Sequence, residues 1–267
     1  MISKYGVHFQ MGIQTVLAYR FNAALMTVSI GISVLLQLVL WRAVYAQSSA
    51  PIVYGFTFHQ MMTYVVLGNV VPKITRASFE YEMANDVKMG GISRFLVAPI
   101  SYFGYRLSVF LGANAINLML ALAVILGLPL VGFSLSGTQT DAARTLAFVC
   151  SLGLALALNF LFFFLIGLAS FWSVEAWGVF EAARILLLIL SGGIFPLEVF
   201  GPFWQRVFAW LPFQYVVYFP IQVINGRLAI LAVERGLFMQ VFWILLLGFV
   251  ALGLWKRATR RLIAVGG

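Results

Sequence analysis

The sequence predicts an all-α polytopic membrane protein, a single transmembrane domain over residues 1–267 with six crossings. Three observations lead there. Hydrophobic residues make up 63% of the chain and charged residues 9%, at a mean hydropathy of +1.00, which is more apolar surface than 267 residues can bury in one soluble core. The apolar residues gather into segments long enough to cross a bilayer. The basic residues behind the formal net charge of +9 stand at the ends of those segments, where they set orientation and meet anionic headgroups rather than nucleic acid.

Met1–Arg20 spaces Ile2, Tyr5, Phe9, Ile13, Val16 and Leu17 three or four apart, with Lys4, His8, Gln10 and Gln14 mostly on the other face. That pattern predicts an amphipathic helix lying in the membrane interface over residues 1–20. The stretch keeps polar residues throughout and has no compact apolar run ending in a small-residue cleavage site, so it does not read as a cleaved leader. Phe21–Val44 is the first span, with Trp41 and Tyr45 at its far end as interfacial aromatics. After the loop QSSAPIVYGF, Thr57–Val71 returns as the second span, closed by Pro72, Lys73 and Arg76.

A polar island follows at residues 79–100. Tyr102–Val131 is the third span, Gly132–Asp141 a polar loop, Ala142–Trp172 the fourth span, and Val179–Ile194 the fifth and shortest. Residues 195–235 then break the pattern: four of the eight prolines, Pro196, Pro202, Pro212 and Pro220, fall among aromatic residues. Such a segment reads as short helices that dip into the bilayer and return, sheltered by protein. Gly236–Trp255 is the sixth span, ended abruptly by KRATRR.

Six spans put both termini on one side. With the termini cytoplasmic, the inner side holds Lys4, Arg20, Lys73, Arg76, Lys88, Arg94, Arg106, Arg184, Lys256, Arg257, Arg260 and Arg261, twelve of seventeen basic residues. The positive-inside rule therefore places the polar island in the cytosol and the proline-rich segment outside.

The chain carries no recognisable engine. It has no G-x-x-x-x-G-K-[ST] phosphate loop, and no lysine follows a glycine. It lacks H-E-x-x-H, a G-x-S-x-G elbow and paired cysteine and histidine ligands, so neither catalysis nor a metal site is expected. The single cysteine, Cys150, excludes an intrachain disulfide and reads as a small core residue. No chain of acids lies in mid-span, as proton-driven transport would need. Glu181 and Arg184, three apart, read as a local ion pair.

The polar island, FEYEMANDVKMGGISRFLVAPI, is where charges of both signs crowd together: Glu80, Glu82, Asp86, Lys88 and Arg94. Thr75–Lys88 can continue the second span as a helix into water, Gly90 and Gly91 break it, and Ile92–Val97 makes a short second turn before Pro99. Two readings stand: a solvated connection, or a socket whose Met83, Val87, Met89, Ile92, Phe95 and Leu96 plug a partner's groove while charges set register at the rim. Elsewhere, Gln37, Thr63, Asn69, Asn114, Asn117 and Asn159 are polar residues inside apolar spans. They read first as interhelical hydrogen-bonding groups and second as residues lining a path.

These acidic residues, the glycines and the short turn ending in Leu-x-x-Pro resemble the cytoplasmic segment after the second span in type-2 ABC transporter permeases. The outer stretch SGGIFPLEVFGPFWQRVFAWLPFQYVVYFP resembles the same family's segment before its last span, and the two motifs stand in the family's order. Within the family the chain is similar to the bacterial branch of viologen and drug exporters. The resemblance implies a transmembrane permease subunit of an ATP-driven exporter in the bacterial cytoplasmic membrane. A second permease, homologous or identical, and two separate ABC ATPase subunits that bind ATP and Mg would complete it.

The resemblance also implies that Glu80, Glu82, Asp86, Lys88, Gly90, Gly91, Ile92, Arg94, Phe95, Leu96 and Pro99 form the coupling segment docked in the ATPase. Pro196, Glu198, Pro202, Trp204, Trp210, Pro212 and Tyr215 would belong to an outer re-entrant gate. The competing class is a secondary transporter or channel independent of ATP, which the missing mid-span acids and internal repeat disfavour. A membrane enzyme or scaffold would need a catalytic cluster near one interface, which the residues do not provide.

Overall fold

The structure, a computed structural model, describes residues 2–18, 20–127, 142–173 and 176–266. The loop expected at Gly132–Asp141 lies outside the described residues. So do the end of the third predicted span beyond residue 127 and the middle of the turn after Trp172. Among the described residues the chain is helical apart from one two-stranded ribbon. Three helical stretches are long and apolar enough to cross a membrane: Val28–Gln47, Ala142–Phe171 and Ile230–Arg261.

Helix α1 (Ile2–Ala18) covers the stretch that the amphipathic pattern predicts to be helical. It runs lengthwise and parallel along α6 (Tyr102–Gly127). The Tyr5 hydroxyl meets Ser101, the His8 ring stands edge-on to Tyr105 at 4.9 Å, and Gly12 and Gly112 bring the backbones together. A Cβ at Gly112 would overlap the Phe9 carbonyl, and one at Gly12 the Val109 carbonyl. Close backbone approach at small residues is how apolar helices associate where burial from water supplies no drive. Gly112→Leu is expected to force α1 off α6 at a cost of about 1–3 kcal/mol. The readout is protease cleavage within residues 2–18 of otherwise inserted protein; unchanged resistance would mean that the glycine contact does not hold α1.

Helix α2 (Arg20–Gln47) and α3 (Phe58–Ile74) form an antiparallel pair joined by strands β1 (Ile52–Val53) and β2 (Phe56–Thr57). Tyr54 and Gly55 take φ of 50° and 75°, the left-handed pair that a tight two-residue hairpin needs. Thr57 then caps α3 in a reciprocal capping box with Gln60. At 17 residues α3 is about 26 Å long, short of the roughly 30 Å apolar layer. Helix α8 (Trp177–Leu190), on the predicted fifth span, has 14 residues and is shorter still.

Helix α7 (Ala142–Gly167), extended by a 3-10 turn at Leu168–Phe171, is the hub. Of its membrane-length window 61% is buried inside the protein, against 6% for Val28–Gln47 and 11% for Ile230–Arg261, so α7 is central and the other two are peripheral. Cys150, expected in the core, lies instead on an exposed face of α7. Helix α11 (Ile230–Gly266) runs parallel to α7. It is fixed at one end by Gln240, whose amide donates to the carbonyls of Ser151 (3.0 Å) and Tyr215 (2.9 Å), and at the other by Trp255 against Phe164 and Phe171.

The proline-rich segment is broken as its sequence requires. A 3-10 turn at Leu197–Phe200 leads to α9 (Gly201–Trp210), a second 3-10 turn at Phe213–Tyr215, and α10 (Tyr218–Ile224).

Candidate functional site

Helix α3 does not continue through the polar island. It ends at Ile74, the chain runs irregularly through Thr75–Ser78, and α4 (Phe79–Lys88) starts afresh. The predicted continuous helix is interrupted because neighbouring side chains satisfy the backbone carbonyls freed at the break. The Asn159 amide of α7 donates to the Thr75 carbonyl, and the Asn114 amide of α6 donates to the Arg76 carbonyl at 3.2 Å and to Phe110 at 2.9 Å. Both asparagines are buried, and both do the interhelical bonding first expected of them. Thr63 and Asn69 spend their side chains on carbonyls of their own helix, at His59 and Val65; Gln37 and Asn117 are half-buried. Only Asn159 of the six borders the cavity beside the break.

The break lets α4 turn Glu80 and Asp86 inward, whereas Glu82 stays exposed at the rim where the sequence put it. Glu82 and Asp86, four apart, share one face, and both pair with Arg106 of α6. Arg106 is 2% exposed; its Nη2 donates to Asp86 at 2.6 Å and its Nε to the Tyr102 hydroxyl at 2.9 Å, which in turn donates to Asp86 at 2.9 Å. The guanidinium also lies over the rings of Tyr102 and Tyr105, 5.2 Å from each centroid. From another face of α4, Glu80, fully buried, pairs with Arg184 of α8, and Tyr81 donates its hydroxyl to Glu181. Arg184 thus chooses Glu80, 104 positions away, over the local Glu181 pairing predicted from sequence.

Burial raises the Glu80 pKa above the ordinary carboxylate value, opposed by its own backbone N–H and by Arg184. A raised carboxylate pKa means that the folded state holds the proton more tightly than the unfolded chain does. Stability from this group therefore falls as pH rises from the ordinary carboxylate value through the raised one. The Glu80–Arg184 pair is no net source of stability; its contribution is direction, fixing α4 against α8.

Past Lys88 the chain reverses at Gly90, whose φ of 69° suits glycine, and forms α5 (Ser93–Val97). Ala98 is extended ahead of Pro99, as a residue preceding proline must be. Met83 and Ile92, predicted to plug a partner, are fully buried in this chain instead, and Phe95 is half-buried against Tyr102 and Tyr105. What projects is the tip: Met89 at 76% exposure, Val97 at 88%, with Lys88, Gly90, Ser93, Arg94 and Pro99 exposed and Gly91 half-buried between them. The side chain of Leu96 lies outside the described residues. Two exposed apolar groups thus stand on a charged tip whose helix α4 is anchored from behind by Arg106 and Arg184.

At the opposite end, Glu198 accepts from the Tyr218 hydroxyl (2.7 Å), Arg227 (2.8 Å) and Gln222 (3.4 Å). Arg227 reaches on to the Gly55 carbonyl at 3.0 Å and lies 3.6 Å over the Phe56 ring, tying the broken segment to the ribbon. Pro196, Pro212 and Tyr215 are buried, while Pro202, Trp204 and Trp210 are exposed on α9. Sequence reading counted Arg106 and Arg227 only for orientation. A lone arginine just inside an apolar segment, following an acidic helix, was the available signal for the first.

Residues 32–266 match the model of the family described as ABC-2 family transporter protein, and the chain belongs to that family. Comparison with curated proteins and with solved structures gives no significant match. The chain is thus a multi-pass membrane permease of the type-2 ABC class, the membrane subunit of a transporter that works with an ABC ATPase subunit.

Proposed function

We propose that this permease is half of the path of an ATP-driven exporter, coupled to its ATPase through the α4–α5 tip. The carrying observation is the pairing of an exposed apolar tip, Met89 and Val97, with ion pairs, each with one buried partner, that fasten α4 to both α6 and α8. A push on the tip would reach two helices, α6 and α8, at once. Two ATPase subunits, closing on ATP and Mg, would supply the push. A second permease, identical or homologous, would complete the path across a symmetric interface.

In this reading the chain crosses the bacterial cytoplasmic membrane six times with both termini inside. The short α3 and α8 would be completed by the broken segments that follow them, sheltered by α7. Residues 195–235 would cap the exit, held by the Glu198–Arg227 clamp. The cargo class of the viologen and drug-exporter branch is not carried over, because the cavity beside the α3–α4 break is bordered by Lys73, Arg76 and Arg184, a poor setting for a cation.

Reversing Glu82 and Asp86, which the sequence invites as a test, would break the Arg106 pairs and confound coupling with folding. Met89→Glu with Val97→Glu touches only the exposed tip. The double variant is expected to insert and to keep its thermal midpoint, yet to lose at least about tenfold in ATP-driven transport, since two desolvated apolar contacts are replaced by charge. Full transport by this variant would place the coupling surface elsewhere.

A further inference from the structure

Helix α11 does not stop where its apolar stretch does. Residues 236–255 carry no charge, lie between Arg235 and Lys256, and match the roughly 30 Å apolar layer of a bilayer. The helix then runs on to Gly266, about 16 Å further. On that overhang Lys256, Arg257, Arg260 and Arg261 are all exposed, and none has an ion-pair partner among the described residues. No acidic residue follows Glu234 in the sequence. Lys256 and Arg260 stand four apart, as do Arg257 and Arg261, so like charges stack on one helix face and repel.

The root of the overhang is fixed beside the α4–α5 tip. Ala258 is fully buried in one apolar core with Ile92. Trp255 stacks on Tyr102 at 5.2 Å, and Tyr102 in turn meets the Phe95 ring at 5.0 Å. Depth divides the four cations. Lys256 and Arg257 stand about 2–3 Å past the apolar layer, within the roughly 5–7 Å of headgroups, whereas Arg260 and Arg261 stand about 8–9 Å past it, at the watery edge.

We infer that Arg260 and Arg261 form a second, electrostatic arm of the surface that receives the ABC ATPase, meeting an acidic face of that subunit, which presupposes that the α4–α5 tip docks there. The two parts act differently. Exposed cations steer the approach of an acidic partner and lose that effect as salt rises, while the apolar tip slows its departure.

The test places the full chain in nanodiscs of phosphatidylcholine, which has no net charge, and follows binding and release of the ATPase subunit purified from the native complex at low and high salt. Arg260→Gln with Arg261→Gln leaves Lys256 and Arg257 to hold orientation. This variant should bind about fivefold more slowly than the unaltered chain at low salt, the scale of two exposed ion pairs, and no differently at high salt. Arg260→Lys with Arg261→Lys should keep the faster rate, and Met89→Glu with Val97→Glu should hasten release at both salts. Equal binding rates for the glutamine variant and the unaltered chain at low salt would remove the arm and leave the tip in place, as would a lysine variant as slow as the glutamine one. A defect confined to nanodiscs containing phosphatidylglycerol would assign the pair to headgroups and overturn the arm likewise. An ATPase that binds none of these chains would overturn arm and tip together.

Discussion

Arg106→Ala is expected to cost about 3–5 kcal/mol of stability and to abolish ATP-driven transport. The side chain is buried and serves two carboxylates, a tyrosine hydroxyl and two ring faces at once. Its removal strands Asp86 in a mostly buried place, leaving Arg94, 3.7 Å away and largely exposed, as that carboxylate's remaining cation. Lysine cannot substitute, because one ammonium lacks the planar fork that reaches Glu82, Asp86 and Tyr102 together. Uncoupling and instability are separable. In Glu82→Gln, Asp86→Asn, Arg106→Met the buried guanidinium and both of its carboxylate partners are neutralised together, so most of the lost stability should return, while transport should not, because α4 is no longer tied to α6. Thermal unfolding and transport measured on both variants check this; recovery of transport by the triple variant would mean that the ion pairs only stabilise.

The second large effect is expected at the other end. Arg227→Ala should destabilise by about 3 kcal/mol through loss of a desolvated cation–π contact and of charge-assisted hydrogen bonds to Glu198 and Gly55. Glu198 would be left with Tyr218 and Gln222 alone, and its Oε2 is already buried without a partner. The broken segment should then loosen from the ribbon, so a cysteine placed at the outward-facing Val199 should keep its labelling rate while one at the buried Leu197 should gain. An unaltered rate at Leu197 would show that the clamp does not hold the segment. Phe56→Leu, which removes the ring but no charge, should give a smaller part of the same change.

The membrane class, the unusual charge density of residues 79–100 and the breaks in the proline-rich segment were all legible in sequence, because charge and proline are strong local signals whatever the tertiary context. The inward turn of α4 was not, because it depends on Arg106 and Arg184, which reach Glu82, Asp86 and Glu80 only once the helices pack. The same holds for the halt of α3 at Ile74: Thr75 and Arg76 leave the helix because Asn159 and Asn114 stand ready to bond their carbonyls, and no local rule announces that. The packing of α1 on α6 is a further case: the apolar spacing predicts the helix, but the Gly12–Gly112 contact is set by two residues 100 positions apart. Met83 and Ile92 are taken into the chain's own core, since a run of apolar residues does not say which of them its own fold will take.

The most direct measurement is co-purification. Tagged chain extracted in mild detergent from its native membrane should bring down an ABC ATPase, and the complex should hydrolyse ATP at a rate that falls when Met89→Glu and Val97→Glu are introduced. Recovery of the permease without any ATPase, or of a complex with no ATP hydrolysis, would contradict the coupling role of the α4–α5 tip and favour transport independent of ATP.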